Sequence, residues 1–364
     1  MEHAADVQGE GPGVTARAIA FYLPQFFPIP ENDEWWGPGF TEWTNTARAR
    51  KLFPGHKQPT LPGELGFYDL RVPETRQAQS DLAREYGVEA FAYWHYWFGH
   101  GRRILERPFR EVIASGAPEI SFCLAWANQT WSGIWHGAAD RVLMEQLYPG
   151  KEDDQAHFDT ILPAFRDERY LRVDGRPVFY VFRPESLPDA AEFVDRWQAM
   201  ARRAGLPGLY LVGEMSNAAG DPIYTTGEAD GFDASVYMRL PAVRTPTATT
   251  RMRLLRKTMG GPEVFPYNDS VMAESIRGPH VQPSVYPNWD NTPRSKRGGI
   301  VLTGATPKKF RKNVAEAVAT IADRPEQHRL LWIKSWNEWA EGNHLEPDLE
   351  LGRAWLEALR EGLA

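Results

Sequence analysis

Eight short stretches of nearly unbroken apolar and aromatic character recur along the chain: Ala16–Leu23, Val88–Trp94, Glu119–Ala125, Pro177–Arg183, Leu209–Glu214, Gly231–Tyr237, Val281–Tyr286 and Leu330–Trp336. A strand with one wet face alternates apolar and polar residues, so continuous runs predict strands covered on both faces, as in a parallel sheet. Helical patterns separate several of them. Pro73–Tyr86 has Pro at its first position and Gly87 beyond its last, and Pro188–Ala204 is closed by Gly205 and carries Phe193, Trp197 and Met200 on one face. Thr306-Pro307 opens another helix with Phe310, Val314 and Ile321, and a last one carries Leu351, Trp355 and Leu359. Strand then helix, repeated with right-handed crossovers, closes eight strands into a single (β/α)8 barrel of α/β class with long βα loops.

Two segments depart from the pattern. Met215–Asp230 shows no helical period, and Arg239–Pro279 is a long insertion with basic residues at Arg251, Arg253, Arg256 and Lys257. Residues 1–15 are Gly-rich and read as a flexible arm, leaving 16–364 as one catalytic barrel domain, since no linker or internal repeat divides it.

Composition narrows the function. Lys and Arg total 41 against 48 Asp and Glu, a formal charge of −7 that argues against a nucleic-acid partner. No run of about 18 apolar residues occurs and Met1–Thr15 lacks the pattern of a signal peptide, so the expectation is no membrane span and a cytoplasmic location. One cysteine, Cys123, excludes an intrachain disulfide and any multi-Cys zinc site, and its apolar run predicts a buried, inert thiol. The 14 Trp, 13 Tyr and 18 Phe are concentrated at and beyond strand ends. So many indole N–H groups are easiest to satisfy beside a polar cleft, where flat apolar faces suit sugar rings.

The C-terminal rim of a barrel is where active sites are built, and the eighth run leads there into Trp336, Asn337, Glu338, Trp339, Glu341 and Glu346. Glu338 and Glu341 can converge on the mouth. A carboxyl pair, one protonated and one ionised, is what glycosidic bond cleavage requires, and flanking indoles can desolvate one member to separate the two. The first run ends in Tyr22 and Gln25, followed by a loop with Trp36, Glu42 and Trp43; a long loop rich in Trp and acids reads as a functional rim. Trp94, His95 and Tyr96 follow the second run, and Trp126 and Asn128 the third. Arg183, Glu214, Tyr237, Tyr286 and Asn288 are substrate-binding candidates by their place at the remaining strand ends. There is no Gly-x-Ser-x-Gly elbow, His-Glu-x-x-His or Walker loop, and neither cofactor nor metal is expected. The basic residues at 251–257, with Arg294, Lys296 and Arg297, are candidates for holding a pyrophosphate.

FYLPQF at 21–26, PIPENDEWWG at 28–37, GFTEWTN at 39–45 and SWNEWAEGNHLEPD at 335–348 together resemble the WbsX-like proteins, also described as glycoside hydrolase family 99-like. The resemblance implies a (β/α)8 barrel acting on glycans and a relation to the family 99 endo-α-mannosidases, whose Asn-Glu-Trp-x-Glu-Gly motif is matched by Asn337, Glu338, Trp339, Glu341 and Gly342. It implies that Glu338 deprotonates the sugar's own 2-hydroxyl, which attacks the anomeric carbon, and that Glu341 is general acid and then base. Ala340 stands where the mannosidases tend to carry His, and Phe27 where WbsX-like proteins often do, so specificity does not carry over.

The leading expectation is a retaining glycoside hydrolase acting on α-linked polysaccharide or oligosaccharide. The alternative is a glycosyltransferase or transglycosidase of O-antigen or other surface-polysaccharide synthesis. A carbohydrate-binding barrel without catalysis is the third reading. Sugar identity, linkage and oligomeric state stay open at this level.

Overall fold

The computed structural model describes residues 16–133, 141–216, 230–238, 260–267 and 278–364. The arm at 1–15, most of 217–229 and 239–277, and with them Arg251, Arg253, Arg256 and Lys257, lie outside the described residues.

The barrel strands are β1 (Arg17–Tyr22), β2 (Val88–His95), β3 (Ser121–Trp126), β4 (Arg176–Val181), β5 (Tyr210–Ser216), β6 (Ala234–Met238), β7 in two pieces (Val281–Gln282 and Ser284–Val285) and β8 (Leu330–Ile333). Each is parallel to the next, and β8 returns to β1 with Leu330 opposite Arg17. The first piece of β7 pairs with β6 and the second with β8. Pro283, which has no N–H to give the ladder, separates them, but its carbonyl still accepts from Trp332 N at 3.1 Å. All eight apolar runs therefore become barrel strands.

The helices are α1 (Pro30–Trp36), α2 (Glu42–Arg48), α3 (Pro73–Glu85), α4 (Arg107–Ser115), α5 (Lys151–Arg166), α6 (Ala190–Arg203), α7 (Thr292–Ser295), α8 (Pro307–Ala319) and α9 (Ala354–Leu363). Their ends follow the sequence signals. Asp189 caps α6 by accepting from Glu192 N, and Thr306 caps α8 by accepting from Lys309 N, with Pro307 at the first position of α8. Phe193, Val194, Trp197 and Met200 of α6 are buried against the sheet. The segment after β1, expected as a loop, instead forms α1 and α2, which are too short to show a period; Thr41 and Thr44 make a reciprocal capping box at the start of α2.

Phe21 of β1 lies 4.8 Å from Trp94 of β2, 5.1 Å from Tyr180 of β4 and 5.4 Å from Trp332 of β8, ring centre to ring centre. Strands β1 and β4 are not neighbours, so these rings meet across the interior and plug the lumen below the rim. Cys123 is buried. Among the described residues no helix is long and apolar enough to cross a membrane.

Candidate active site

The turn after β8 is built to hold two carboxyl groups. Ser335 Oγ donates to Asn343 Oδ1 at 2.7 Å and accepts from Glu338 N at 3.2 Å, folding the turn back on itself. The Asn337 amide clasps β1, accepting from Leu23 N at 2.7 Å and donating to Leu23 O at 3.0 Å. Beneath them Glu346 accepts from Trp339 Nε1 (2.6 Å), Gln79 Nε2 (2.6 Å) and Tyr68 Oη (2.8 Å). Gly342 has φ +66°, and a Cβ there would stand 2.9 Å from Asp290 N, so only glycine lets the turn close onto Asp290. Asp290 N then donates to Glu341 O at 2.7 Å, bringing α7 and its Arg294 against the turn. Asp290 is itself fixed by His56, Gln58 and Thr292.

Glu338 accepts from Trp94 Nε1 at 2.8 Å and is buried. Desolvation, with the charge of Glu341 adding to it, raises its pKa and favours the protonated form. Burial alone would raise Glu341 too, but the Arg294 guanidinium, bonded through Nη1 to Oε1 at 2.6 Å, and then Lys334 outweigh it and hold Glu341 ionised. Arg294 Nε donates to Glu42 Oε1 at 2.7 Å, so one guanidinium bridges two carboxylates. Lys334 Nζ lies over two indoles, 5.7 Å from the Trp94 ring centre and 5.4 Å from that of Trp289. Burial disfavours its charge, and the pull of Glu338, Glu341 and Glu214 more than restores it. Across the mouth Glu214, bonded by Tyr180 Oη at 2.5 Å, is pushed by burial up to about 7.

Strand alternation decides which candidates reach this cluster. Trp94 and Tyr96 face it, and the charges of Glu338, Glu42 and Glu341 all act on the Tyr96 hydroxyl. His95, between them, points outward to α5, where its Nε2 meets His157 Nε2 at 2.8 Å; burial holds His95 down at about 3. Tyr22 likewise leaves the lumen and donates to Gln79 on α3 at 2.6 Å. Trp126 packs on His157 and Phe193 and donates to Trp97 O. Trp43 donates to Tyr68 O, and Trp336 is fully buried against Phe91. Asn128 clasps the backbone of Arg183, whose guanidinium lies over Phe182 beside Glu185. The carbonyl of Gln25 accepts from Glu42 N at 3.0 Å, anchoring α2, and Trp36 packs on Phe40. The carbonyls of Tyr237 and Tyr286 accept from Ser284 and Tyr267, and Asn288 is half-buried. Tyr22, His95, Trp126, Trp43, Trp336, Asn337, Glu346 and Asn128 are thus satisfied within the fold and build the shell around the site. The wealth of indoles serves that shell more than an open cleft. Trp35 and Trp131, 6.0 Å apart and half-exposed beside Tyr96, are aromatic faces left at the rim.

Lys334 and Trp289 were missed as site residues, although a lone charge in the run LLWIKSW was a signal. Arg294 was grouped with an anion-binding surface, but it is committed to two carboxylates; Lys296 and Arg297 of that group are exposed. Among the described residues no group of three His, Cys, Asp or Glu is arranged to hold a metal ion.

Comparison with known proteins places this arrangement. Residues 18–359 match the family model described as glycosyltransferase WbsX. The chain belongs to the WbsX family. It is 40% identical over 352 residues to the uncharacterized protein WxcX of Xanthomonas campestris pv. campestris, in strain B100 and again in strain ATCC 33913. That match takes in 96% of this chain and 50% of WxcX, so the WbsX-family chain spans about half the length of the curated relatives it matches. Among solved structures it resembles a glycoside hydrolase-like protein (TM-score 0.59, 15% identity, 98% of this chain and 97% of that one). It also resembles a GH99 endo-α-mannosidase from Bacteroides thetaiotaomicron (TM-score 0.54, 16% identity, 95% of both chains). These likenesses establish a fold shared with glycoside hydrolases.

Proposed function

We propose that this WbsX-family chain is a retaining glycosidase acting on α-linked glycans, with Glu338 and Glu341 as its catalytic pair. The observation that carries the reading is the charge order of two buried carboxyl groups three residues apart at the end of β8, one neutral beside an indole and one ionised against a guanidinium. Acid and base are thereby set up side by side without a metal ligand set. Retention follows if the sugar's 2-hydroxyl is the nucleophile. Trp35 and Trp131 offer sugar-stacking faces, and Lys334, Glu214 and Asn288 offer hydrogen bonds to ring substituents.

The test is purified protein beside Glu338→Gln and Glu341→Gln on a panel of α-linked glycans, read by mass spectrometry. Released reducing sugar from wild type, reduced by two or more orders of magnitude in each variant, is the expected result. Equal release by the variants overturns it. The description of the matching family favours a second reading, transfer of the sugar to a hydroxyl acceptor, for surface polysaccharide among other products. Consumption of a nucleotide sugar without hydrolysis selects that one.

A further inference from the structure

The pair's two roles are not interchangeable, and the residue that separates them stands on a third element. Arg294 reaches from α7 to both Glu42, the first residue of α2, and Glu341. Glu42 is 1% exposed in its side chain and has this guanidinium as its ion-pair partner. Were Arg294 to swing away, it would strand a buried carboxylate, a cost of several kcal/mol. The guanidinium is therefore pinned, and the Glu341 oxygen it bonds stays an acceptor. Glu338 has no such partner; its neighbour is an indole N–H. The other ionisable groups acting on the pair are Lys334 from β8's end, Glu42 from α2 and Tyr96 from β2's end; Glu214 of β5 acts on it through Lys334.

Resting on the glycosidase reading for its chemistry, we infer that Arg294 is a positioning residue that keeps Glu341 the ionised member of the pair, so that Glu338 is the proton donor to the departing sugar oxygen and Glu341 the base. This order is the reverse of the one the family resemblance implies. In the first half-reaction the anomeric C–O bond breaks, its electron pair goes to the glycosidic oxygen, and that oxygen takes the proton of Glu338. Glu341 takes the proton of the 2-hydroxyl, whose oxygen closes onto the anomeric carbon. In the second half, water adds to the anomeric carbon and gives its proton to Glu338; the three-membered ring opens and Glu341 returns its proton to the 2-oxygen. Atoms and charges balance with no further reactant.

Two measurements test it. Carboxyl carbon NMR of Glu-labelled full chain, with Glu338→Gln and Glu341→Gln assigning the two signals, reads the charge order without any substrate. The expected result is a Glu341 signal at its ionised shift down to pH 4 while Glu338 is still protonated at neutral pH. In Arg294→Gln combined with Glu42→Gln, which leaves no stranded carboxylate, the Glu341 titration rises by about one to three pH units. A Glu338 that ionises before Glu341 in wild type, or a Glu341 titration unmoved in the double variant, overturns the inference. The second measurement compares a natural glycan with a dinitrophenyl glycoside, whose leaving group needs no proton. Glu338→Gln is expected to lose at least about 100-fold on the glycan and little on the dinitrophenyl glycoside, and Glu341→Gln to lose heavily on both. The opposite pattern overturns the assignment. If the NMR order holds and no glycoside is turned over by wild type, the role of Arg294 as the group ordering the charges stands and the glycosidase reading fails.

Discussion

Lys334 Nζ stands 5.7 Å from the ring centre of Trp94, the same indole whose N–H is bonded to Glu338. The ammonium favours the ionised forms of both Glu338 and Glu214. Lys334→Met removes that pull, so both carboxyls keep their protons to higher pH. The alkaline limb of kcat/KM, which reports the free enzyme's essential acid, is expected to move up by about one unit, and Lys334→Arg to leave it in place. A limb that stays put in Lys334→Met, or moves down, contradicts the electrostatic role of this lysine.

Glu346 is a pH-dependent element of stability. Burial, opposed by the hydrogen bonds of Trp339, Gln79 and Tyr68, pushes its pKa up to about 7. The unfolded chain releases this proton near pH 4.3, so between there and pH 7 the native state binds more protons than the unfolded one. Stability therefore falls as pH rises through that window and levels off above it. In Glu346→Gln the corresponding slope is absent. Urea unfolding at pH 5 and pH 8 is expected to show wild type losing a few kcal/mol relative to the variant over that interval. Parallel curves would remove Glu346 as the source.

The His95–His157 contact has the opposite sign. Both rings are held neutral by burial, His95 down to about 3 and His157 well below its ordinary value. An unfolded histidine takes its proton near pH 6.5, so stability is lost as pH falls below that point. His95→Gln is expected to destabilise the chain by about 1–3 kcal/mol while kcat of the folded fraction stays within about twofold, since the ring faces α5 instead of the site. A fall in kcat with unchanged stability would return His95 to the mouth.

Gly342→Ala tests the closure of the β8 turn. The substitution meets both a left-handed backbone and Asp290 N at 2.9 Å. A loss of about 2 kcal/mol or more is expected, with activity reduced beyond what unfolding explains, because Glu341 and Arg294 share that junction. Thermal unfolding and turnover measured on the same preparation check it.

The barrel was legible because strands buried on both faces leave unbroken apolar runs, and because Pro73, Gly87, Gly205 and Pro307 mark helix ends by backbone chemistry alone. Glu338 and Glu341 were legible from their place beyond the last run. What the sequence does not display is the phase of each strand about the lumen. Trp94, His95 and Tyr96 were equal candidates by position, and the register of β2 against β1, with Tyr93 opposite Tyr22, turns the middle one away. Arg294 was out of reach for another reason. Its two partners lie 252 and 47 residues away, and only the folded chain brings Glu42, Arg294 and Glu341 into one line. The α1–α2 segment was misread because two seven-residue helices are shorter than the period by which helices are recognised.

The rings of Phe21, Trp94, Tyr180 and Trp332 close the lumen directly beneath the charged cluster. Solvent can therefore relax those charges only from above. A bound sugar sheds water from the one side that screens them, and the proton affinities of Glu338, Glu341, Glu42 and Glu214 are retuned together by the act of filling the mouth.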